Sequence, residues 1–87
     1  MKKTQKRMGR FQIDANDVAE RPMLVLSILA GCIPVRAEMM LHSFEVEYVA
    51  YGEHFDEIDR GDCVPEYKFN IRDLVGGKYH VTWERKR

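Results

Sequence analysis

The chain has 87 residues, of which 45% are apolar and 10% aromatic, and its 14 basic and 14 acidic side chains give a formal net charge of zero. This length fits one domain with one small core, and the composition is globular rather than disordered. A net charge of zero favours no class of partner electrostatically. No apolar run reaches the roughly 18–20 residues that a membrane span needs.

The charges are unevenly distributed. Residues 1–10 carry five bases and no acid, whereas residues 11–83 hold thirteen acids and six bases. We expect residues 1–9 to form a mobile basic tail and residues 10–87 to form a single domain.

The first elements are a strand and a broken helix. Residues 10–14 alternate polar and apolar side chains, which predicts a short strand. Residues 15–20 predict one turn of helix, with Asn16 or Asp17 as its cap. Pro22 suits the first position of a new helix, which we expect to run to Ala30.

The end of this helix matches a processing signal. Leu29-Ala30-Gly31-Cys32 fits the consensus at which bacterial lipoproteins are cleaved and lipidated. The preceding segment contains acidic residues and is too long for the basic start of such a signal. Cleavage would also remove the predicted helix from the sheet, so we interpret the segment as a core helix.

The helix carries unusually few polar groups, since Ser27 is its only polar side chain after Pro22. A helix that is apolar all round is normally covered on more than one side. The cover is either the N-terminal segment and the long loop of the same chain, or a second copy or host protein. A third alternative is that the segment is a strand. In the second case, the residues expected to mediate self-association are Val25, Leu26 and Leu29.

Four further strands follow in two hairpins. In residues 33–41 and 44–50, side chains alternate between an apolar and a charged face. The same alternation marks residues 67–72 and 78–85. We therefore predict an α+β fold, a small single-layer antiparallel sheet of about five strands covered on one face by one helix. The position of the first strand in the sheet stays open.

The connection between the hairpins, residues 52–65, is long for so small a domain. Its one basic residue is Arg60, and the apolar Phe55 and Ile58 lie among its acidic residues. One interpretation is a protein-contact loop with an acidic rim around an aromatic anchor. The alternative is a loop of solvated acids whose Phe55 and Ile58 pack it onto the rest of the domain. The candidate contact residues are Glu53, Phe55, Asp56, Glu57, Asp59 and Asp62.

No catalytic, cofactor or metal site is predicted. The loop fails the pattern of a calcium loop, because Ile58 and Arg60 occupy ligand positions. The three histidines are scattered, and two distant cysteines give no metal-ligand spacing and no support for a Cys/His nucleophile. We expect Cys32 and Cys63 to be reduced thiols in a cytoplasmic protein.

Residues 44–67 loosely resemble a pattern in short uncharacterised proteins of tailed bacteriophages and prophages. In that pattern an aromatic strand leads to Phe55-Asp56-Glu57-Ile58, then to Gly61 and to Pro65-Glu66-Tyr67. The resemblance implies a cytoplasmic accessory protein that binds rather than catalyses, and it carries over no functional residues.

The expected function is therefore a small protein-interaction module, one that binds or inhibits a host protein and can form a homodimer through residues 22–30. The alternative is a nucleic-acid-binding accessory protein that contacts phosphates through its basic N- and C-terminal tails.

Overall fold

The computed structural model describes residues 7–59, 61–74, 76 and 78–86. Five antiparallel strands and two short helices confirm the α+β class. In chain order the elements are β1 (Met8–Asp14), α1 (Ala15–Glu20), α2 (Pro22–Leu29), β2 (Cys32–Met40), β3 (Glu45–Gly52), β4 (Tyr67–Leu74) and β5 (Lys78–Arg85).

The strands form two sheets rather than the single sheet expected. One sheet has the order β1-β3-β2, and the other is the β4-β5 hairpin. β1 meets the start of β4 at a single bridge between Arg10 and Glu66, where the Arg10 amide donates to the Pro65 carbonyl at 3.0 Å. The core cluster contains residues from both sheets.

Aromatic rings fill the space between the sheets. The rings of Phe11 and Trp83 lie 4.8 Å apart between centroids, and Phe11 stacks on Tyr48 at 5.6 Å. Phe55 packs against Tyr67 at 4.8 Å and against Trp83 at 5.2 Å. The core is thus mainly a sheet-to-sheet contact, with α2 adding Leu24 and Ile28 at one side.

The two helices begin where local chemistry allows. Asp14 caps α1, since its Oδ1 accepts a hydrogen bond from the Asn16 amide at 2.8 Å, so neither Asn16 nor Asp17 is the cap. Pro22 opens α2 as predicted, because it lacks the amide proton that a first-turn residue would leave unpaired. α2 contacts β5 more than any strand of the β1-β3-β2 sheet, although its Leu24 and Ile28 join the same core as Phe11 and Ile13, so the expected cover of one sheet face by one helix is not confirmed.

The structure changes the predicted start of β1 and the predicted apolar face of β2. β1 begins at Met8, inside the expected tail, because residues 8–14 pair with β3 along its length. In β2 the pairing with β3 shifts by one residue between Pro34 and Arg36. This β-bulge places Ile33 on the opposite face from Met39, so the predicted single apolar face of residues 33–41 is wrong.

Candidate interaction surface

The acids of the 52–65 loop are partly neutralised by the two basic ends of the chain. Asp56 lies 3.1 Å from the Arg85 guanidinium, and Glu57 lies 3.5 Å from that of Arg7. Lys86 and Arg10 lie 3.0 and 3.7 Å from the carboxylate of Glu66, and Arg10 also pairs with Glu47. The acidic body and the basic ends therefore act as counter-charges for each other.

Phe55 belongs to the core and not to an exposed surface. Its side chain is 1% exposed, and the loop around it is pinned by a hydrogen bond from the Asp56 amide to the Tyr67 hydroxyl at 2.7 Å. A ring covered by its own chain offers no surface to a partner. The remaining predicted loop residues, Glu53, Asp56, Glu57, Asp59 and Asp62, are exposed.

The predicted self-association residues of α2 divide in the same way. Val25 and Leu29 are half-buried and pack against the core, so they face inward. Leu26 is 61% exposed, and Met23, three residues earlier on the same side of the helix, is exposed to the same degree. The outward apolar side of α2 is therefore small.

More of the exposed large apolar side chains lie on or beside β2 than on any other described element, although the sequence pattern predicts their burial. β2 is an outer strand, and no described strand pairs with its free side. Ile33 is 65% exposed and Leu41, just after the strand, is 82% exposed, and Val35 and Met39 are also open to solvent. We call residues 32–41 the β2 edge. An unpaired strand with apolar side chains is a ready template for another chain.

The turn after the β2 edge contains a strained aromatic residue. Phe44 has a φ of 54°, a left-handed conformation that bulky side chains rarely adopt. Half of its surface is nevertheless exposed, so burial does not explain why a phenylalanine stands there. Strain of this kind accumulates at binding sites.

A second arrangement is a pair that sequence reasoning missed. The Cys32 Sγ and the His54 Nε2 lie 3.4 Å apart, and the imidazole stacks on Trp83 with ring centroids 4.8 Å apart. Beside the pair is a shallow hollow of about 400 Å³ that includes Ile33 and Tyr51 in its lining. The two residues are 22 positions apart, and only the fold brings them together.

The chemistry of this pair does not favour catalysis. Burial raises the pKa of the Cys32 thiol to about 11, and burial also lowers the pKa of His54. Both groups are therefore neutral near pH 7, whereas a nucleophilic cysteine needs its thiolate. Across the described ranges, no three His, Cys, Asp or Glu side chains are grouped so as to hold a metal ion.

The lowered pKa of His54 predicts a pH-dependent stability. The unfolded chain takes up a proton near pH 6.5 while the folded imidazole stays neutral. The contribution of neutral His54 to the free energy of unfolding is therefore complete above about pH 6.5. It is lost as the pH falls from there towards the pKa of the folded state. Thermal melts between about pH 7.5 and about pH 5.5 should show a fall in Tm that is smaller in His54→Gln. Equal falls in the two proteins would show that His54 is not the responsible group.

Comparison with known proteins gives no relative. No family model matches the chain, and searches of the curated proteins and of the solved structures find no significant match. Within the part of the chain that the structure describes, no helix is both long enough and apolar enough to cross a membrane.

Proposed function

We propose that the protein is a small binding module that acts by contact with another protein, and that the β2 edge together with Phe44 is its contact surface. The observation that carries this proposal is the free side of β2, whose neighbouring side chains are apolar and exposed. An extended segment of a partner can add to such an edge through main-chain hydrogen bonds, while its side chains meet those of β2.

The position of the charges also supports a protein partner. Arg7, Arg10, Arg85 and Lys86 each contact a carboxylate within the chain. The nucleic-acid alternative therefore depends on the other basic residues of the two ends, which are Lys2, Lys3, Lys6 and Arg87. These four residues lie outside the described ranges. Among the exposed loop acids, Glu53 lines the same hollow as Ile33 of the β2 edge, where its charge can steer a partner.

The loose resemblance of residues 44–67 to phage and prophage accessory proteins gives the setting that we propose. A protein of that kind acts on components of a bacterial host by binding. Native bacterial lysate is therefore the source in which to search for a foreign partner.

Replacing Phe44 by Asn should weaken binding without unfolding the protein. Asn tolerates a positive φ, and half of the Phe44 side chain is already in solvent. If Phe44 anchors a partner, we expect recovery of that partner on the tagged variant to fall by about tenfold, the typical effect of losing an aromatic anchor.

The control for Phe44→Asn is Leu74→Asn, which changes an exposed apolar side chain at the far end of β4. Mass spectrometry of the captured proteins should show full recovery with this control, and thermal melts should show that both variants are folded. Equal recovery with wild type, Leu74→Asn and Phe44→Asn would contradict the proposed surface.

A further inference from the structure

We infer that the β2 edge binds a second copy of this chain, with the two β2 strands antiparallel about a two-fold axis at Ala37. This inference rests on the proposed function and names the partner at the same surface. The sheet β1-β3-β2 of one copy would then continue into β2-β3-β1 of the other. A closed two-fold contact of this kind uses the same residues on both copies.

The charges of the β2 edge are self-complementary about this axis. Arg36 and Glu38 flank Ala37, are exposed and point to the same face of the sheet. Antiparallel pairing centred on Ala37 places each Arg36 opposite Glu38 of the partner subunit, and opposite charges in directly facing positions stabilise a sheet. Among the described residues, neither side chain takes part in an ion pair.

The neighbouring strand gives an independent reason for a cation beside Glu38. Glu38 lies directly opposite Glu47 of β3, and like charges in facing positions are destabilising. Glu47 is compensated on its other side, where its Oε2 lies 3.2 Å from the Arg10 guanidinium. The partner's Arg36 would give Glu38 the equivalent counter-charge on the free side of β2.

The apolar residues also agree with this register once the bulge is included. Between Pro34 and Arg36, β2 contains one more residue than the facing part of β3, and this extra residue is Val35. With the same offset across the axis, Pro34 lies opposite the partner's Met39, and Ile33 lies opposite the partner's Met40. Both members of each pair then point to the same face of the joined sheet. The exposed Ile33 and Met39 therefore meet apolar side chains, whereas Val35 is the extra residue of the bulge and has no directly facing residue.

Charge reversal tests the pairing directly. Arg36→Glu puts two glutamates in each facing pair, and Glu38→Arg puts two arginines there. Because like charges in facing positions are destabilising and the two-fold axis repeats each pair, we expect each single variant to raise the dimer Kd by about tenfold. The double variant R36E/E38R restores opposite charges and should return the Kd to near that of the wild type.

Sedimentation equilibrium of the full chain measures this Kd, and circular dichroism confirms that each variant is folded. Arg72→Glu, an exposed charge reversal on β4, is the matched control and should leave the Kd unchanged. As a second test, added salt should weaken the wild-type dimer more than the neutral variant R36Q/E38Q.

Three results would overturn the inference. They are a monomeric wild type at every concentration, single reversals that dimerise as the wild type does, and a folded double variant that stays as weak as the single ones. If the wild type is monomeric but a foreign protein is captured and lost with Phe44→Asn, the second copy is wrong and the proposed function stands. If that capture is also unaffected by Phe44→Asn, both fail.

Discussion

Phe55→Ala is expected to lower the free energy of unfolding by roughly 3–5 kcal/mol, the usual loss for truncating a buried phenylalanine. Although Phe55 belongs to the connection between the hairpins, its ring is 1% exposed and contacts the rings of Phe11, Tyr67 and Trp83. Those rings come from both sheets, so removing Phe55 opens a cavity at the contact that joins them.

Urea denaturation of Phe55→Ala beside Phe44→Ala measures this effect with matched chemistry. Phe44 is half exposed, so its truncation should cost no more than about 1 kcal/mol. Equal losses in the two variants would mean that Phe55 is not the link between the sheets, and it would return Phe55 to the list of candidate partner contacts.

Gly9→Ala should be the second most damaging change, at about 1–3 kcal/mol, because it overpacks the same contact. A Cβ at residue 9 would lie 2.7 Å from Phe55 Cδ1 and 2.8 Å from Tyr67 Cδ1, closer than real contacts allow. Gly52→Ala is the control, since its Cβ would come no closer than 3.1 Å to any neighbour and the loss should be smaller.

The two changes should also be coupled. Removing the Phe55 ring frees part of the space that the new Cβ at Gly9 needs, so the double variant should lose less than the sum of the single losses. Additivity within about 0.5 kcal/mol, measured by the same urea denaturation, would show that the clash with Phe55 does not limit residue 9.

Much of the secondary structure is predictable because local patterns determine it. The alternation of Tyr67, Phe69 and Ile71 with polar residues marks β4 without knowledge of its neighbours. Pro22 likewise sets the start of α2, because proline favours the first turn of a helix and breaks the interior of one.

The arrangement of these elements is less predictable, because it depends on contacts between distant residues. Alternation shows that β4 and β5 have an apolar face, but not that they form a separate sheet opposite β1. The burial of Phe55 depends on Gly9 in β1 and Gly52 in β3, because a side chain at either position would meet the Phe55 ring. The alternation of apolar and polar residues around Phe55 does not show this.

The candidate surface was missed for a related reason. Alternation in residues 33–41 indicates an apolar face, but it does not show whether anything covers that face. Pro34 was the available signal, since proline within a strand is confined to outer strands, strand starts and bulges. It marks β2 as both an outer strand and a bulged one. The Cys32–His54 pair offered no signal, because the sequence spacing between them is arbitrary.

The most direct test of the account is hydrogen–deuterium exchange of the full chain over a range of protein concentrations. Self-pairing of the β2 edge predicts that amides within residues 32–41 exchange more slowly as the concentration rises, while those of β4 do not change. The single variant Arg36→Glu should abolish this dependence. Exchange in residues 32–41 that is the same at every concentration would contradict the account.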